Sequence, residues 1–158
     1  MIRYCYLKTM VGRLLLAGDD HGLRYISFTE GKNGISPNTE WREDREFLRE
    51  AIRQLDLYFD GRLTKFALNL APQGTPFQLR VLQALQEIPY GETISYRELA
   101  ERIGKPKASR AVGSANARNP LPIVIPCHRV IGSNGNLVGF GGGLEIKRKL
   151  LDLESTNR

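Results

Sequence analysis

The run Ser95-Tyr96-Arg97-Glu98-Leu99-Ala100-Glu101-Arg102-Ile103-Gly104-Lys105-Pro106-Lys107-Ala108-Ser109-Arg110-Ala111-Val112-Gly113-Ser114-Ala115-Asn116-Ala117 decides the fold of the C-terminal half. Ser95 followed by Glu98 is a capping box, so a helix starts there and runs to about Ile103. Gly104-Lys105-Pro106 makes a short turn. The next helix, Lys107 to about Ala117, carries Ala108, Ser109, Ala111, Gly113, Ser114 and Ala115, with Lys107, Arg110 and Arg118 beside them. Two short helices, a glycine-containing turn and a slim basic second helix fit a helix-turn-helix. An ordinary helix pair packed through alanines fits the same pattern.

Upstream, Thr75-Pro76 is a cap residue with proline at the first helical position, and Phe77, Val81, Leu85 and Ile88 give that helix one apolar stripe. Downstream, Val130 to Val138 reads as a hairpin closed by Asn134-Gly135, the wing of a winged helix-turn-helix. A glycine-rich loop, Gly139 to Gly143, leads to a last helix from Leu144 to Leu153. The first half reads differently. Ile2–Leu7, Arg13–Ala17 and Leu23–Phe28 are strand-like runs. Phe47, Leu48, Ala51, Ile52, Leu55, Tyr58 and Phe59 recur at three and four, one helix stopped by Asp60-Gly61. A last short strand is expected over Phe66–Leu70. The expected architecture is α/β: a three-stranded-plus-helix unit over 1–70, a linker at 71–74, and a mainly helical winged unit over 75–158.

Composition narrows the function. The 158 residues are 41% hydrophobic and 25% charged, which suits a folded globular chain. No apolar run reaches the length of a membrane span. Two cysteines cannot make a disulfide framework, so a reducing cytoplasm is expected. Residues 1–74 carry 11 basic and 10 acidic groups, whereas residues 75–158 carry 12 and 7. The net charge of +5 in the second half points to an anionic partner, nucleic acid first, with a plain basic surface as the alternative.

The chemistry sits at Ile123-Val124-Ile125, read as an apolar strand, and the Pro126-Cys127-His128-Arg129-Val130 that follows it. A thiolate is the nucleophile, and neighbouring positive charge favours it over the thiol. Successive residues of a regular helix do not face one another, so a Cys–His pair works only across a sharp turn. Pro120, Pro122 and Pro126 permit one. A buried inert cysteine beside a surface histidine remains the plain alternative.

Asn119-Pro120, Ile125 to Val130, Gly141 to Leu144, Lys147, Leu150-Leu151 and Glu154 together closely resemble the methylated-DNA–protein-cysteine methyltransferases, also called O6-alkylguanine-DNA alkyltransferases. The resemblance spans the C-terminal half. It implies direct reversal of DNA damage: an O6-alkylguanine, and O4-alkylthymine as a second substrate, is flipped out of the duplex, and its alkyl group passes irreversibly to Cys127, one event per molecule. It implies His128 as the base acting through a water, Glu154 as the carboxylate orienting it, Asn119 as the hinge of the reactive turn, and Tyr96 as the residue that crowds the target phosphate. Arg110 is implied as the finger filling the gap in the duplex, with Ser95, Lys107, Ser114, Ala115, Arg118 and Arg129 as further DNA contacts. Pro122, Val130, Val138, Gly139, Phe140, Gly141 and Gly142 are implied in the substrate pocket and its lid. The partner expected on this resemblance is double-stranded DNA bound through the minor groove, with a monomer that binds cooperatively on DNA expected in the cytoplasm and, in a bacterium, at the nucleoid. No cofactor is expected. Zinc-binding relatives use two Cys and two His in the N-terminal unit, and this chain offers only Cys5 and His21 there, so no metal is expected either. A lesion-binding relative without transfer, a winged-helix regulator and a cysteine hydrolase are the rival readings. The presence of Cys127 argues against the first, and nothing in the sequence marks an oxyanion hole for the last.

Overall fold

A computed structural model describes residues 1–31, 34–135, 140 and 142–157. The N-terminal strands are β1 (Arg3–Thr9), β2 (Gly12–Asp19) and β3 (Gly22–Phe28), paired as an antiparallel meander. A two-residue β4 (Arg42–Glu43) joins β1 in parallel, so the sheet has four strands in the order β3-β2-β1-β4 rather than the three expected. Helix α1 (Arg49–Phe59) follows and buries Ala51, Leu55 and Tyr58. The strand expected over Phe66–Leu70 is absent. Only Leu70 bridges to Leu23, because the segment meets β3 at its edge for a few bonds and then leaves.

That edge positions the site. Leu23 N–H donates to Asn69 O at 2.8 Å, and Ala71 N–H to Leu23 O at 2.9 Å. Farther along β3, Ile26 N–H donates to Pro120 O at 2.9 Å. The outer edge of the sheet is thus covered by the chain itself, which removes an aggregation-prone row of unpaired groups. The approach is close: a Cβ on Gly22 would lie 2.6 Å from Asn69 O, and Gly22 has φ +140°. A side chain there would push the edge segment away.

In the second half α2 (Pro76–Leu85) starts at Thr75, whose side chain accepts from Gln78 N–H while the Gln78 side chain accepts from Thr75 N–H. Strand β5 (Ile94–Ser95) leads into α3 (Tyr96–Arg102), capped by the Ser95 hydroxyl, which accepts from Glu98 N–H at 3.0 Å. Helix α4 (Ser109–Ala117) packs on both α2 and α3. The final helix α5 runs from Leu144 to Thr156. Of the hairpin expected over Val130 to Val138, the first arm and the turn are described: strand β6 (Val130–Ile131) pairs in parallel with β5, and a turn closes from Gly132 O to Gly135 N–H at 2.9 Å, while residues 136–139, where the return arm is expected, lie outside the described residues. One continuous set of buried side chains runs from Cys5 and Leu14 through Tyr58, Val81 and Leu99 to Leu150. Among the described residues no helix is long and apolar enough to cross a membrane.

Candidate active site

The apolar run Ile123–Ile125 is a tight turn instead of a strand. Ile125 N–H reaches back to Leu121 O at 2.9 Å, and Ile123 has φ +78°, a left-handed conformation that costs a β-branched residue energy. Asn119 holds this turn from both ends. Its Oδ1 accepts from Leu121 N–H at 2.9 Å, and its Nδ2 donates to Ile125 O at 2.8 Å. Burial of Leu121, Ile123 and Ile125 at 1% exposure or less anchors it. A short run of apolar residues reads as strand by pattern, but closure by one asparagine side chain makes it a bend. The chain then passes Pro126 into one 3₁₀ turn, Cys127–Arg129, the sharp turn that a Cys–His pair requires.

Cys127 is 4% exposed and sits at the floor of a cavity of about 560 Å³. Its wall comes from both halves of the chain: Tyr25 to Phe28 of β3, with Gly34 and Ile35 after it, and Asn116, Arg118, Asn119, Pro120, Pro122 and Phe140. Phe28 and Phe140 pack with ring centroids 5.6 Å apart. A Cβ on Gly142 would lie 2.8 Å from the Phe28 ring, so glycine there lets the loop before α5 close onto β3. Of the expected pocket residues, Pro122 and Phe140 line the cavity and Gly142 abuts its aromatic wall. Val138, Gly139 and Gly141 lie outside the described residues. Val130 does not line the cavity: it is buried behind the turn, its backbone paired with Ile94 and its carbonyl taken by Lys147.

Burial pushes the Cys127 thiol up to about 11, while a hydrogen bond from Asn119 and the charge of Lys147 pull it down. The resting group is therefore the thiol. Lys147 is a residue that the sequence reading left without a role. It is fully buried, donates to Val130 O at 2.6 Å and lies 5.9 Å from the Tyr96 ring centre. Burial holds Lys147 below the usual lysine range, and Cys127 opposes that. A signal was present: Lys147, Leu150 and Glu154 are the buried positions of an otherwise charged helix, spaced three and four apart on one face. Tyr96 is half-buried, and its hydroxyl hydrogen-bonds Asn116, whose Nδ2 donates to Cys127 O at 3.4 Å.

Behind the turn, Glu154 gathers the polar side chains. His128 Nε2 lies 2.7 Å from Glu154 Oε2, and Arg129 donates from Nε to Oε1 at 2.8 Å and from Nη2 to Oε2 at 3.0 Å. Burial alone would raise Glu154, but the hydrogen bonds from His128 and Arg129 outweigh it and hold the carboxyl well below the usual range. An ionised Glu154 makes His128 Nε2 the protonated nitrogen, which leaves Nδ1 as an acceptor. Nδ1 is buried with no partner among the described residues. Burial lowers His128, and Glu154 works against it.

Two expected DNA contacts need correction. Arg129 is 6% exposed and spent on Glu154 and on Ile88 O, at 2.7 Å, so its charge faces inward. Ala115 is 4% exposed, on the side of α4 that meets the core. Lys107, Arg110, Ser114 and Arg118 are exposed, and among the described residues the three basic ones form no ion pair. Ser95 is half-buried, with its hydroxyl on the α3 cap. Among the described residues no group of three His, Cys, Asp or Glu could hold a metal, and Cys5 is buried away from the exposed His21.

Residues 2–72 match the family described as 6-O-methylguanine DNA methyltransferase, ribonuclease-like domain, and residues 76–156 match its DNA binding domain. The chain belongs to the 6-O-methylguanine DNA methyltransferase family. Its reaction is alkyl transfer from methylated DNA to a protein cysteine, a DNA-repair chemistry. The methylated-DNA–protein-cysteine methyltransferase of Methanosarcina acetivorans is 55% identical over 153 residues, covering 97% of this chain and 98% of that one. The Mycobacterium leprae protein of the same name is 49% identical over 155 residues, 98% and 93% of the two chains. The crystal structure of Mycobacterium tuberculosis OGT in complex with DNA superposes with a TM-score of 0.92 at 46% identity, covering 98% of this methyltransferase and 94% of that chain.

Proposed function

We propose that this methyltransferase repairs O6-alkylguanine, and O4-alkylthymine as a second substrate, by moving the alkyl group to Cys127 once per molecule. The observation that carries the reading is the position of Cys127: a buried thiol at the floor of a base-sized cavity, with Lys147 beside it and the His128–Glu154 pair behind it. A lesion inside a duplex is out of reach of a buried sulfur, so the nucleotide must leave the stack, at a few kcal/mol. The slim, exposed face of α4 would lie in the minor groove, with Arg110 filling the space left behind, and a wedged side chain offsets unstacking. Lys107, Ser114 and Arg118 would hold the backbone. Tyr96 would crowd the target phosphate from the start of α3.

The thiol proton passes to His128 Nδ1, the free acceptor, through a bridging water. Lys147 stabilises the thiolate as it forms, by charge at short range in a dry site. The sulfur attacks the alkyl carbon in line, the carbon–O6 bond breaks, and guanine leaves with the electron pair and takes up the proton. The resulting thioether does not reverse. The protein would act as a monomer, binding cooperatively along DNA, in a reducing cytoplasm that keeps Cys5 and Cys127 as thiols, and at the nucleoid in a bacterium.

The test is the intact mass after incubation with a duplex carrying O6-methylguanine. The protein should gain one methyl group in place of a hydrogen, on Cys127. Cys127→Ser should gain nothing while keeping its DNA affinity, and Cys5→Ala should gain the group at a near-normal rate. Methylation of Cys5, or none at all, overturns the assignment.

A further inference from the structure

Glu154 has a further side-chain partner in the N-terminal unit. The Tyr58 hydroxyl, on α1, donates to Glu154 Oε2 at 2.5 Å. Tyr58 is fully buried, with its ring packed against Phe59, Phe66 and Tyr90 at centroid distances of 5.3, 5.4 and 6.2 Å. A core position on an apolar helix stripe is filled as well by phenylalanine, and a buried hydroxyl is costly unless it is bonded. Here its acceptor is the carboxylate that orients His128. We propose that Tyr58 is a positioning residue for alkyl transfer, fixing Glu154 and limiting how much of its charge reaches His128. The inference rests on the reading of His128 as the base.

The distances support it. Oε2 accepts from Tyr58, His128 and Arg129 Nη2 at 2.5, 2.7 and 3.0 Å, and Oε1 accepts from Arg129 Nε at 2.8 Å and Gly91 N–H at 3.4 Å. A carboxylate offers about four lone-pair sites, so this one is saturated. A saturated carboxylate orients an imidazole and shares its charge among several donors. Among the described residues, the groups facing the pair are Arg129 from the turn, Lys147 from α5, Tyr90 from the segment after α2 and Tyr58 from α1. Among the described residues, only Tyr58 places a neutral donor on the oxygen that His128 uses. Burial and the Glu154 charge hold its phenol far above the usual range, so it stays a donor wherever His128 titrates.

The experiment compares the full chain with Tyr58→Phe and Phe66→Leu. Imidazole nitrogens are titrated by NMR, with exposed His21 as internal reference, and single-turnover transfer to O6-methylguanine duplex is followed against pH. Without the phenol, Oε2 holds the imidazolium more strongly. The His128 midpoint in Tyr58→Phe should rise by about half a unit to one unit, the worth of one hydrogen bond. The acid limb of the rate profile should move up with it. Phe66→Leu loosens the same ring but keeps the hydroxyl. It should lower the melting temperature and move neither midpoint nor limb. A His128 midpoint unmoved in Tyr58→Phe, or moved as far in Phe66→Leu, overturns the proposal. A parent acid limb that does not follow His128 instead removes His128 as the base, and this inference with it. The parent alone supplies a further reading should Tyr58→Phe not fold. The Tyr58 hydroxyl proton should exchange slowly and shift as His128 titrates, and a resonance indifferent to that titration overturns the proposal as well.

Discussion

Arg129 is a stabilising residue beside a reactive one. The residue is 6% exposed, and its guanidinium holds both oxygens of Glu154, donates to Ile88 O and lies 5.7 Å from the Tyr90 ring centre. Removing one partner of a buried ion pair leaves the other uncompensated and costs about 3–5 kcal/mol. Arg129→Leu should lower the stability read from urea unfolding by about that amount. DNA affinity of the folded variant should stay near the parent's, because the side chain does not reach the surface. An affinity loss matching that of an exposed arginine would return Arg129 to the DNA face. In the sequence, Arg129 follows Cys-His on a basic half and reads as one more phosphate contact. Nothing local says that Glu154, 25 positions away, takes its charge. The burial of Lys147 has the same cause: three adjacent basic residues look alike until packing buries one of them.

Helix α4 and the turn after it divide the site between binding and chemistry. The outward face of α4 and the cap residue after it offer Arg110, Ser114 and Arg118, while Val112, Ala115 and Asn116 pack inward. Arg110→Ala should impair repair of fully paired DNA most and repair of single-stranded DNA least, since only the paired substrate leaves a gap in the stack. Rates of methyl transfer on the two substrates decide this, and equal losses would make Arg110 a phosphate contact. Helix starts were readable because caps are local: Thr75 and Ser95 accept from the backbone N–H three residues on. The segment Ile123–Ile125 was not, because its conformation depends on Asn119 bridging Leu121 and Ile125 and on the burial that holds Ile123 at φ +78°. Strand β4 was missed because two exposed residues, Arg42 and Glu43, carry no apolar pattern and are strand only by pairing with Arg3 and Tyr4.

Across the whole molecule, one core and one sheet edge couple the halves, so a change at Cys127 should be felt in global stability. A methyl on the sulfur disturbs its bond with Asn119 and adds an atom to a buried site, and overpacking costs roughly 1–3 kcal/mol. Methylated protein should therefore melt below the free form, by about 2–12 °C for a chain of this size, and equal melting would show that the cavity absorbs the group. Alkali should act on the same thiol. Both cysteines are held at about 11 in the fold against 9.0 without it. The folded state thus keeps protons that the unfolded chain loses, and the stability present below pH 9 is lost as pH rises toward 11. Cys127→Ala and Cys5→Ala should each flatten that decline in melting temperature, and a decline unchanged in both would assign it to the buried tyrosines. The order of helices and strands, the capped helix starts, the basic second half and the Pro126-to-Val130 string were legible from sequence alone, because caps, periodicity and adjacent motif residues are local properties. The inward turn of Arg129, the burial of Lys147, the bend at Ile123, the share of β3 in the cavity wall and the reach of Tyr58 to Glu154 were decided only by the tertiary structure. Each depends on residues distant in the chain meeting in one core, where burial and saturated hydrogen bonding, not residue type, assign what a side chain does.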